Sequence, residues 1–287
     1  MRWVITGAGG QLGQRLLAQL AARSEDVVAL TRADLDITSA PAVREAVATL
    51  RPDVLINAAA YNAVDVAETS EDLAYAVNAT GPGLLASAIA DTGGRLVHVS
   101  TDYVFAGTAT VPYSPDDPTV PRTAYGRSKL AGETAALTAL PDRTTVVRTA
   151  WVHGGPGANF VATMLRLAAE GTDPDVVDDQ VGSPTFAGDL AGALIELARS
   201  DVLCGVLHYV NAGQASWCEF AREVFALAGA DPSRVHAVDS AAFPRPAPRP
   251  PWSVLSTDAW TAAGFSAPRP WRDGVRDSVA AQRGGAG

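Results

Sequence analysis

The start of the chain joins a short apolar stretch, RWVIT, to a glycine-rich turn that opens a helical pattern. Gly7, Gly10 and Gly13 stand in a G-x-x-G-x-x-G spacing within VITGAGGQLGQRLL. Glycines at this spacing allow a tight turn and a close backbone approach, and the N-terminus of the next helix offers N–H groups to a pyrophosphate. The context predicts a dinucleotide-binding unit; the alternative is a glycine-rich turn between unrelated elements.

The first two-thirds of the chain then alternates strand and helix patterns. Apolar runs typical of buried parallel strands occur at 27–31, 54–59, 96–100 and 145–151. Helical patterns lie between them at 11–23, 40–50, 72–91 and 123–139. This alternation predicts an α/β fold with a doubly wound parallel Rossmann sheet over residues 1–150, rejoined by 175–200. Residues 151–287 are expected to form mainly a smaller C-terminal substrate-binding lobe.

Composition limits the classes of function. The chain has 287 residues, of which 47% are hydrophobic, and a formal net charge of −9. This favours a globular chain with a large core and does not favour a nucleic-acid partner. We also expect no membrane association, because no apolar run approaches roughly 20 residues and no signal peptide precedes the first strand. Cys204 and Cys218 show no metal or redox spacing, which indicates a reducing, cytoplasmic location.

The end of the second predicted strand, ALTRADLD, bears on the choice of cofactor. An acidic residue usually ends this strand in NAD-selective sites, but here the position offers Thr31 and Arg32. Because arginine can pair bidentately with a 2′-phosphate, the sequence predicts NADPH, with NADH possible; the alternative for Arg32 is a solvated loop charge. Further cofactor contacts are predicted at Gln11, Leu12, Asp36, Ile37, Ala58, Ala59, Ala60 and Tyr61.

Several longer motifs together resemble the dTDP-4-dehydrorhamnose reductase family of extended short-chain dehydrogenases/reductases. They are RPDVLINAAAYNAVDVAE, STDYVFAGT, YGRSKLAGE, RTAWVHGGPGANFVATMLRLA and DDQVGSPT, in this order along essentially the whole chain. The resemblance implies a cytoplasmic oxidoreductase of deoxysugar biosynthesis. Such an enzyme transfers hydride from NAD(P)H to the C4 ketone of a dTDP-4-keto-6-deoxyhexose, such as dTDP-4-dehydrorhamnose.

The stretch TAYGRSKLAGE carries the catalytic residues that the resemblance implies. Tyr125 and Lys129 stand four residues apart, on one face of a predicted helix; taken alone, this spacing is more typical of a packed tyrosine and a solvated lysine than of a catalytic pair. The resemblance implies that Tyr125 protonates the carbonyl oxygen and that Lys129 stabilises the phenolate and binds the nicotinamide ribose. It also implies that Thr101, at the end of the fourth strand, holds the substrate carbonyl.

Substrate contacts carry over from the same resemblance. Asp102 is expected to bind sugar hydroxyls and Trp151 to pack on the hexose, although a turn residue and a core aromatic are the alternatives. Asn159 is expected to face the nucleotide and Arg249 to pair with the diphosphate. The exact hexose stays open, because Trp252 replaces the asparagine usual in the family's RPxNSxL loop.

The expectations for metal binding and quaternary structure rest on a difference between this chain and some members of the family. Some members hold Mg²⁺ at a dimer interface with acidic residues, where this chain has Arg15 and retains only Asp189. We therefore expect no metal, and a monomer or a homodimer without a Mg²⁺ link. Two other functions remain open: an epimerase or 4,6-dehydratase of the same fold, and a non-catalytic NADP-binding regulatory subunit, like the reductase-like partner of methionine adenosyltransferase.

Overall fold

Twelve strands and eleven helices are formed by the described residues of the computed structural model, which are 1–155, 157, 159–201 and 205–284. In chain order, the strands are β1 (Arg2–Thr6), β2 (Asp26–Leu30), β3 (Val54–Asn57), β4 (Arg95–Thr101), β5 (Thr144–Thr149), β6 (Val152–His153), β7 (Asp175–Val177), β8 (Val181–Gly182), β9 (Thr185–Phe186), β10 (Gly205–His208), β11 (Ala215–Ser216) and β12 (His236–Val238). The helices are α1 (Gln11–Ala22), α2 (Ala40–Leu50), α3 (Val64–Ala67), α4 (Glu71–Tyr75), α5 (Gly81–Ala90), α6 (Ala124–Ala139), α7 (Phe160–Ala169), α8 (Ala187–Arg199), α9 (Trp217–Ala228), α10 (Asp258–Ala262) and α11 (Trp271–Gly284).

Six of the strands form one parallel sheet, in the order β10–β5–β4–β3–β1–β2. Strands β3 and β5 are buried along their whole length, as expected of apolar strands that are covered on both faces. The strand order reverses at β1, which pairs with β2 on one side and β3 on the other. In open α/β sheets, ligands bind at the carboxyl ends of the strands beside such a reversal, so the ends of β1 and β3 position the site.

Helices cover both faces of this sheet. Successive side chains of a strand point to opposite faces, and β1 shows the alternation. Trp3 and Ile5 pack into a core with α1 and α8, whereas Val4 packs into a second core with α2, α5 and α6. The predicted doubly wound Rossmann-type sheet is therefore confirmed.

A π-helical turn, Ala76–Thr80, joins α4 to α5 in one continuous helix. By length and mean hydropathy, the 20 residues from Glu71 to Ala90 could cross a membrane, whereas the sequence analysis expected no such run. Core helices of soluble proteins pass the same test, and α5 contributes Leu85 and Ile89 to the second core. This helix is therefore weak evidence for a membrane span.

The C-terminal part of the chain builds a smaller lobe with its own core. Helices α7, α9 and α11 pack around Phe220, Phe225 and Trp271, with Cys218 buried as a free thiol. A capping box between Ser216 and Glu219 begins α9. The second cysteine, Cys204, lies outside the described residues.

Two elements return from this part of the chain to the Rossmann sheet. Helix α8 packs on α1, and β10 pairs with β5 at the edge of the sheet. Strand β7, by contrast, pairs with β12 in a separate two-stranded sheet. The returning segments thus differ from the expected 175–200, because β7 stays with the lobe and β10 joins the sheet. The boundary at residue 150 stays a prediction.

Candidate active site

Two adjoining cavities lie at the carboxyl ends of the parallel strands. The first cavity, of about 350 Å³, follows the ends of β1, β2 and β3. The second cavity, of about 420 Å³, lies over the ends of β4 and β5 and the start of α1. Four residues line both cavities and therefore mark their junction: Gly10, Ala58, Ala60 and Asn62.

The glycine-rich turn after β1 packs directly against the end of β3. Gly7 has a φ of +70°, and a Cβ atom there would lie 2.5 Å from the nitrogen of Ala59. A Cβ at Gly13 would overlap the carbonyl oxygen of Gly7. Helix α1 then begins at Gln11, and its N-cap, Gly10, makes no side-chain hydrogen bond. The N–H groups of the first turn, which have no acceptor within the helix, thus remain available at the junction of the cavities.

The predicted cofactor contacts divide between the two cavities. Gly7, Arg32, Asp36, Ile37, Ala59 and Tyr61 line the first, whereas Gln11, Leu12 and Gly13 line the second. The Asp36 carboxylate accepts hydrogen bonds from the backbone N–H and the hydroxyl of Thr38, at 3.0 and 2.8 Å, which lower the pKa of Asp36. The guanidinium of Arg32 makes no hydrogen bond or ion pair with any described residue, which leaves it available to an anionic group.

Tyr125 reaches the second cavity from the first turn of α6. Thr123 caps this helix by accepting a hydrogen bond from the N–H of Gly126 at 2.9 Å. The phenol lies 3.5 Å from Oδ1 of Asn62, to which it donates a long hydrogen bond. Burial raises the pKa of Tyr125, against the opposing effect of a hydrogen bond with Thr101, so the phenol is protonated at neutral pH.

Lys129 lies one turn further along α6 and is buried. Its Nζ donates a hydrogen bond to the backbone oxygen of Val99 at 2.7 Å. Burial lowers the pKa of Lys129 to about 8, and the negative charge of Glu133 opposes this shift. Glu133 itself is held by Arg148, at 2.7 Å in a buried ion pair, and by the hydroxyl of Ser100.

Thr101 and Asp102 form the floor of the second cavity at the end of β4. The Thr101 hydroxyl donates to Oδ1 of Asp102 at 2.8 Å. Burial raises the pKa of Asp102 to about 6, although hydrogen bonds from Ser253 and Thr101 act in the opposite direction. The structure thus brings Thr101, Tyr125 and Lys129 into one cavity from two elements.

Trp151 also lines the second cavity, in an unusual backbone conformation. Its φ is +48°, and its indole stacks on that of Trp217 with ring centroids 3.7 Å apart. A Cβ atom at Gly182 would lie 2.5 Å from this indole, so the ring is also closely packed against Gly182. Trp151 is therefore both a packed aromatic and a wall of the cavity.

Two of the predicted substrate contacts, Asn159 and Arg249, line neither of these cavities. Asn159 is the N-cap of α7, where its Oδ1 accepts from the N–H of Ala162 at 3.0 Å. Arg249 forms an ion pair with Asp65 at 2.8 Å and borders a separate pocket of about 50 Å³. Both side chains are thus engaged within the protein and lie outside the two cavities, and their roles toward substrate stay predictions.

Arg15 and Asp189 lie in the two segments where some family members hold Mg²⁺, and both side chains are paired with other groups of this protein. Arg15 donates to the backbone oxygen of Gly154 at 3.0 Å, and Asp189 pairs with Arg269 at 2.8 Å. Within the described ranges, no group of three or more His, Cys, Asp and Glu side chains could hold a metal ion.

Sequence reasoning missed several residues that line the cavities. Asn62 follows the NAAAY stretch directly and could have been found as the next polar residue at the end of β3. Thr149 ends β5 and could have been found by the rule that sites lie at the carboxyl ends of parallel strands, with which Thr101 also agrees. Trp217 comes from the start of α9, and no local pattern indicates that it would stack on Trp151.

Comparison with known proteins agrees with this architecture. The family model described as "RmlD substrate binding domain" matches residues 1–283. The chain is 54% identical to the dTDP-4-dehydrorhamnose reductase of Mycobacterium tuberculosis over 285 residues, which cover 98% of this chain and 93% of that protein. It is 51% identical over 279 residues to a probable dTDP-4,6-dihydroxy-2-methyloxan-3-one 4-ketoreductase of Streptomyces antibioticus, with 97% and 94% covered.

The structural comparison covers nearly the same range. The crystal structure of the dTDP-4-dehydrorhamnose reductase of Bacillus anthracis, in complex with NADP, is 37% identical and superposes with a TM-score of 0.92 over 96% of both chains. The resemblance seen in the sequence motifs is thus confirmed by the family model, by identity and by fold. The chain belongs to the dTDP-4-dehydrorhamnose reductase family.

Proposed function

We propose that this protein reduces the C4 ketone of a dTDP-4-keto-6-deoxyhexose with NADPH, and that Tyr125 is the proton donor. The observation that carries the proposal is the convergence of Thr101, Tyr125 and Lys129 in a cavity that adjoins a glycine-lined one. The names of the relatives support the substrate class, and the NADP complex of the Bacillus anthracis relative supports the cofactor.

The residues of the first cavity fit a dinucleotide. Close packing at Gly7 and Gly13 leaves no room for side chains, and the first turn of α1 directs N–H groups to the junction, where a pyrophosphate would bind. Arg32 borders the same cavity, makes no hydrogen bond or ion pair in the described part of the chain, and would hold a 2′-phosphate. When bound, the cofactor supplies the hydride.

Tyr125 supplies the proton that balances this hydride. Its phenol is protonated at neutral pH and can donate to the carbonyl oxygen as the carbonyl carbon is reduced, which leaves a hydroxyl on the sugar and a phenolate on the protein. The Thr101 hydroxyl, at the adjoining end of β4, would hold the same carbonyl oxygen. Solvent then reprotonates the phenolate.

Lys129 would bind the ribose of the cofactor and stabilise the phenolate of Tyr125. An ammonium has three N–H donors, and the structure uses one of them on Val99. The other two are available to a ribose hydroxyl, and the positive charge favours the phenolate that forms after proton transfer. A cation one turn from the phenol would therefore contribute to both cofactor binding and turnover.

Sugar recognition would come from Asp102, Trp151 and Trp217, which line the second cavity. Asp102 offers a carboxylate to hydroxyl groups, and the two stacked indoles offer an apolar wall to the hexose. The relatives are named for different keto sugars, so we propose the substrate class and leave the hexose to experiment.

The proposal is tested by following NADPH oxidation with the purified protein and a panel of dTDP-4-keto-6-deoxyhexoses. We expect turnover with at least one member and the corresponding 4-hydroxy sugar as product. Tyr209→Phe is a suitable control for Tyr125→Phe, because Tyr209 is a buried tyrosine that packs on Trp260 outside both cavities. NADPH binding without turnover of any sugar would favour the regulatory-subunit alternative, and a change at C3 or C5 without NADPH consumption would favour an epimerase.

A further inference from the structure

Two residues that line the second cavity carry a buried side-chain oxygen that makes no hydrogen bond of good geometry in the described part of the chain: Oδ2 of Asp102, whose carboxyl also interacts with the nearby side chain of Ser253, and Oγ1 of Thr149. Three histidine Nε2 atoms share this condition, but the residues that carry them line neither cavity: His98, His153 and His208. An unpaired buried polar group is costly, so each requires an explanation such as a ligand or a water molecule. Oδ2 of Asp102 and Oγ1 of Thr149 are therefore candidates for hydrogen bonds to a ligand.

Thr149 stands beside the catalytic threonine. It is the last residue of β5 and is the direct register partner of Thr101, the last residue of β4. Register partners on neighbouring strands point to the same face, so the two hydroxyl-bearing side chains are neighbours. Thr149 is only 5% exposed, so bulk water does not satisfy its hydroxyl.

The neighbours of Thr149 favour a sugar role over a cofactor role. Thr149 does not line the first cavity; the second cavity, which it lines, also contains the predicted cofactor contacts Gln11, Leu12 and Gly13 at the start of α1. Its cavity neighbours include Asp102 and the stacked Trp151 and Trp217. The hydroxyl therefore lies on the side where a sugar would bind.

We propose that Thr149 is a further substrate-binding residue, whose hydroxyl binds a hydroxyl group of the hexose together with Oδ2 of Asp102. The inference rests on the proposed function. A carboxylate only accepts hydrogen bonds, whereas a threonine hydroxyl both donates and accepts, so one sugar hydroxyl can donate to Asp102 and accept from Thr149. A site built in this way discriminates against a sugar that lacks the hydroxyl, because both protein atoms would then stay unpaired.

The test compares Thr149→Val, which replaces the hydroxyl by a methyl group of similar size, with Thr149→Ser, which keeps the hydroxyl. Thr145→Val is the matched control, because Thr145 is a buried threonine of the same strand that lines neither cavity. The measurements are kcat/KM for the keto sugar, dissociation constants of the NADP-bound protein for dTDP-glucose and for dTDP, the dissociation constant for NADPH, and Tm.

For Thr149→Val we expect kcat/KM and the affinity for dTDP-glucose to fall about threefold to tenfold, the value of one neutral hydrogen bond. Affinities for dTDP and NADPH should not change, because neither measurement involves the hexose. The Tm should stay equal or rise, since the substitution removes an unpaired buried hydroxyl; a purely structural threonine would show a lower Tm instead. Thr149→Ser should restore sugar affinity, and Thr145→Val should leave it at the wild-type value.

Unchanged kcat/KM and dTDP-glucose affinity in Thr149→Val, with an active wild type, would overturn the inference and leave the proposed function intact. A selective loss of NADPH affinity would also overturn it, because the hydroxyl would then serve the cofactor. If the wild type binds NADPH but neither binds dTDP-glucose nor reduces any sugar of the panel, the proposed function fails and the inference fails with it.

Discussion

Lys129 donates a hydrogen bond from Nζ to the backbone oxygen of Val99, at 2.7 Å, and so ties α6 to β4 two residues before Thr101. The bond helps to fix the position of Tyr125 on α6 relative to Thr101 at the end of β4. Lys129 is also the only lysine of the 287 residues; all other Lys and Arg positions are arginine. An arginine at this position would not have the same chemistry, because a guanidinium is larger and stays charged, whereas a buried ammonium can lose its proton.

The single lysine makes its titration directly measurable. With isotope-labelled lysine, the protein should show one lysine side-chain NMR signal, which titrates near pH 8 in the cofactor-free protein because burial disfavours the charged form. Since the unfolded value is about 10.4, the unfolded chain binds the extra proton between pH 8 and that value, and this group makes stability rise with pH there. Titration at the unfolded value would contradict the buried site.

Substitution of the same residue should separate binding from chemistry. Lys129→Met keeps the length and apolar stem but removes the ammonium, so NADPH affinity and turnover should both fall. In the wild type, NADPH affinity should also decline as pH rises through about 8, and the variant should lack this dependence. Isothermal titration with NADPH at a series of pH values checks both points; a variant that binds NADPH as tightly as the wild type would rule out the ribose contact.

Tyr125→Phe deletes the proposed proton donor and keeps the ring that packs edge-on against Tyr103. Turnover should fall by roughly 10² to 10⁴, the usual range for general acid–base catalysis, while NADPH affinity barely changes. Stopped-flow or steady-state NADPH oxidation measures the first quantity and fluorescence titration the second. Nearly normal turnover in Tyr125→Phe, with Tyr209→Phe as control, would refute the mechanism.

Arg32→Asp should change cofactor preference. The guanidinium makes no hydrogen bond or ion pair with a described residue and borders the first cavity, so an acid in its place should repel a 2′-phosphate. The KM for NADPH should rise about tenfold or more, in the range of a charge-assisted hydrogen bond, with little change for NADH. Arg44→Asp, an exposed position on α2, controls for the change in net charge. Equal effects on both cofactors would show that Arg32 does not read the phosphate.

Asp102 should produce an acidic limb in the pH profile. Burial raises its pKa to about 6, so the carboxylate that would accept from sugar hydroxyls is lost as pH falls through this value. We expect kcat/KM for the sugar to decline below about pH 6 and Asp102→Asn to lack that limb. Because the folded pKa lies above the unfolded value of about 3.9, ionisation costs stability as pH rises between these values, and Asp102→Asn should have a higher Tm at pH 7.

Chelation by EDTA should leave activity and quaternary structure unchanged. Arg15 is directed to the backbone of Gly154, and Asp189 is neutralised by Arg269, so neither position offers a free carboxylate. The check is NADPH oxidation and size-exclusion chromatography before and after EDTA treatment. Loss of either on chelation, restored by Mg²⁺, would contradict the expectation of no metal.

Local patterns in the sequence were sufficient to predict the strands of the sheet, the glycine turn and the position of Tyr125 and Lys129 on one helical face. Strand burial is visible as apolar runs, the glycine turn as a spacing between a strand and a helix, and Tyr125 with Lys129 as neighbours on one helical face. Each of these features depends on residues within about a dozen positions of one another. The motif order then identified the family, since several long matches in register extend over the chain.

Only the tertiary structure decided which distant side chains meet at the site. Arg249 pairs with Asp65, 184 residues away in sequence, and Trp217 at the start of α9 stacks on Trp151, which follows β5. The register of β4 and β5 places Thr149 beside Thr101, and burial sets the pKa values of Lys129 and Asp102. Such contacts depend on how the strands are ordered and how the lobe packs on them, which short-range periodicity does not encode.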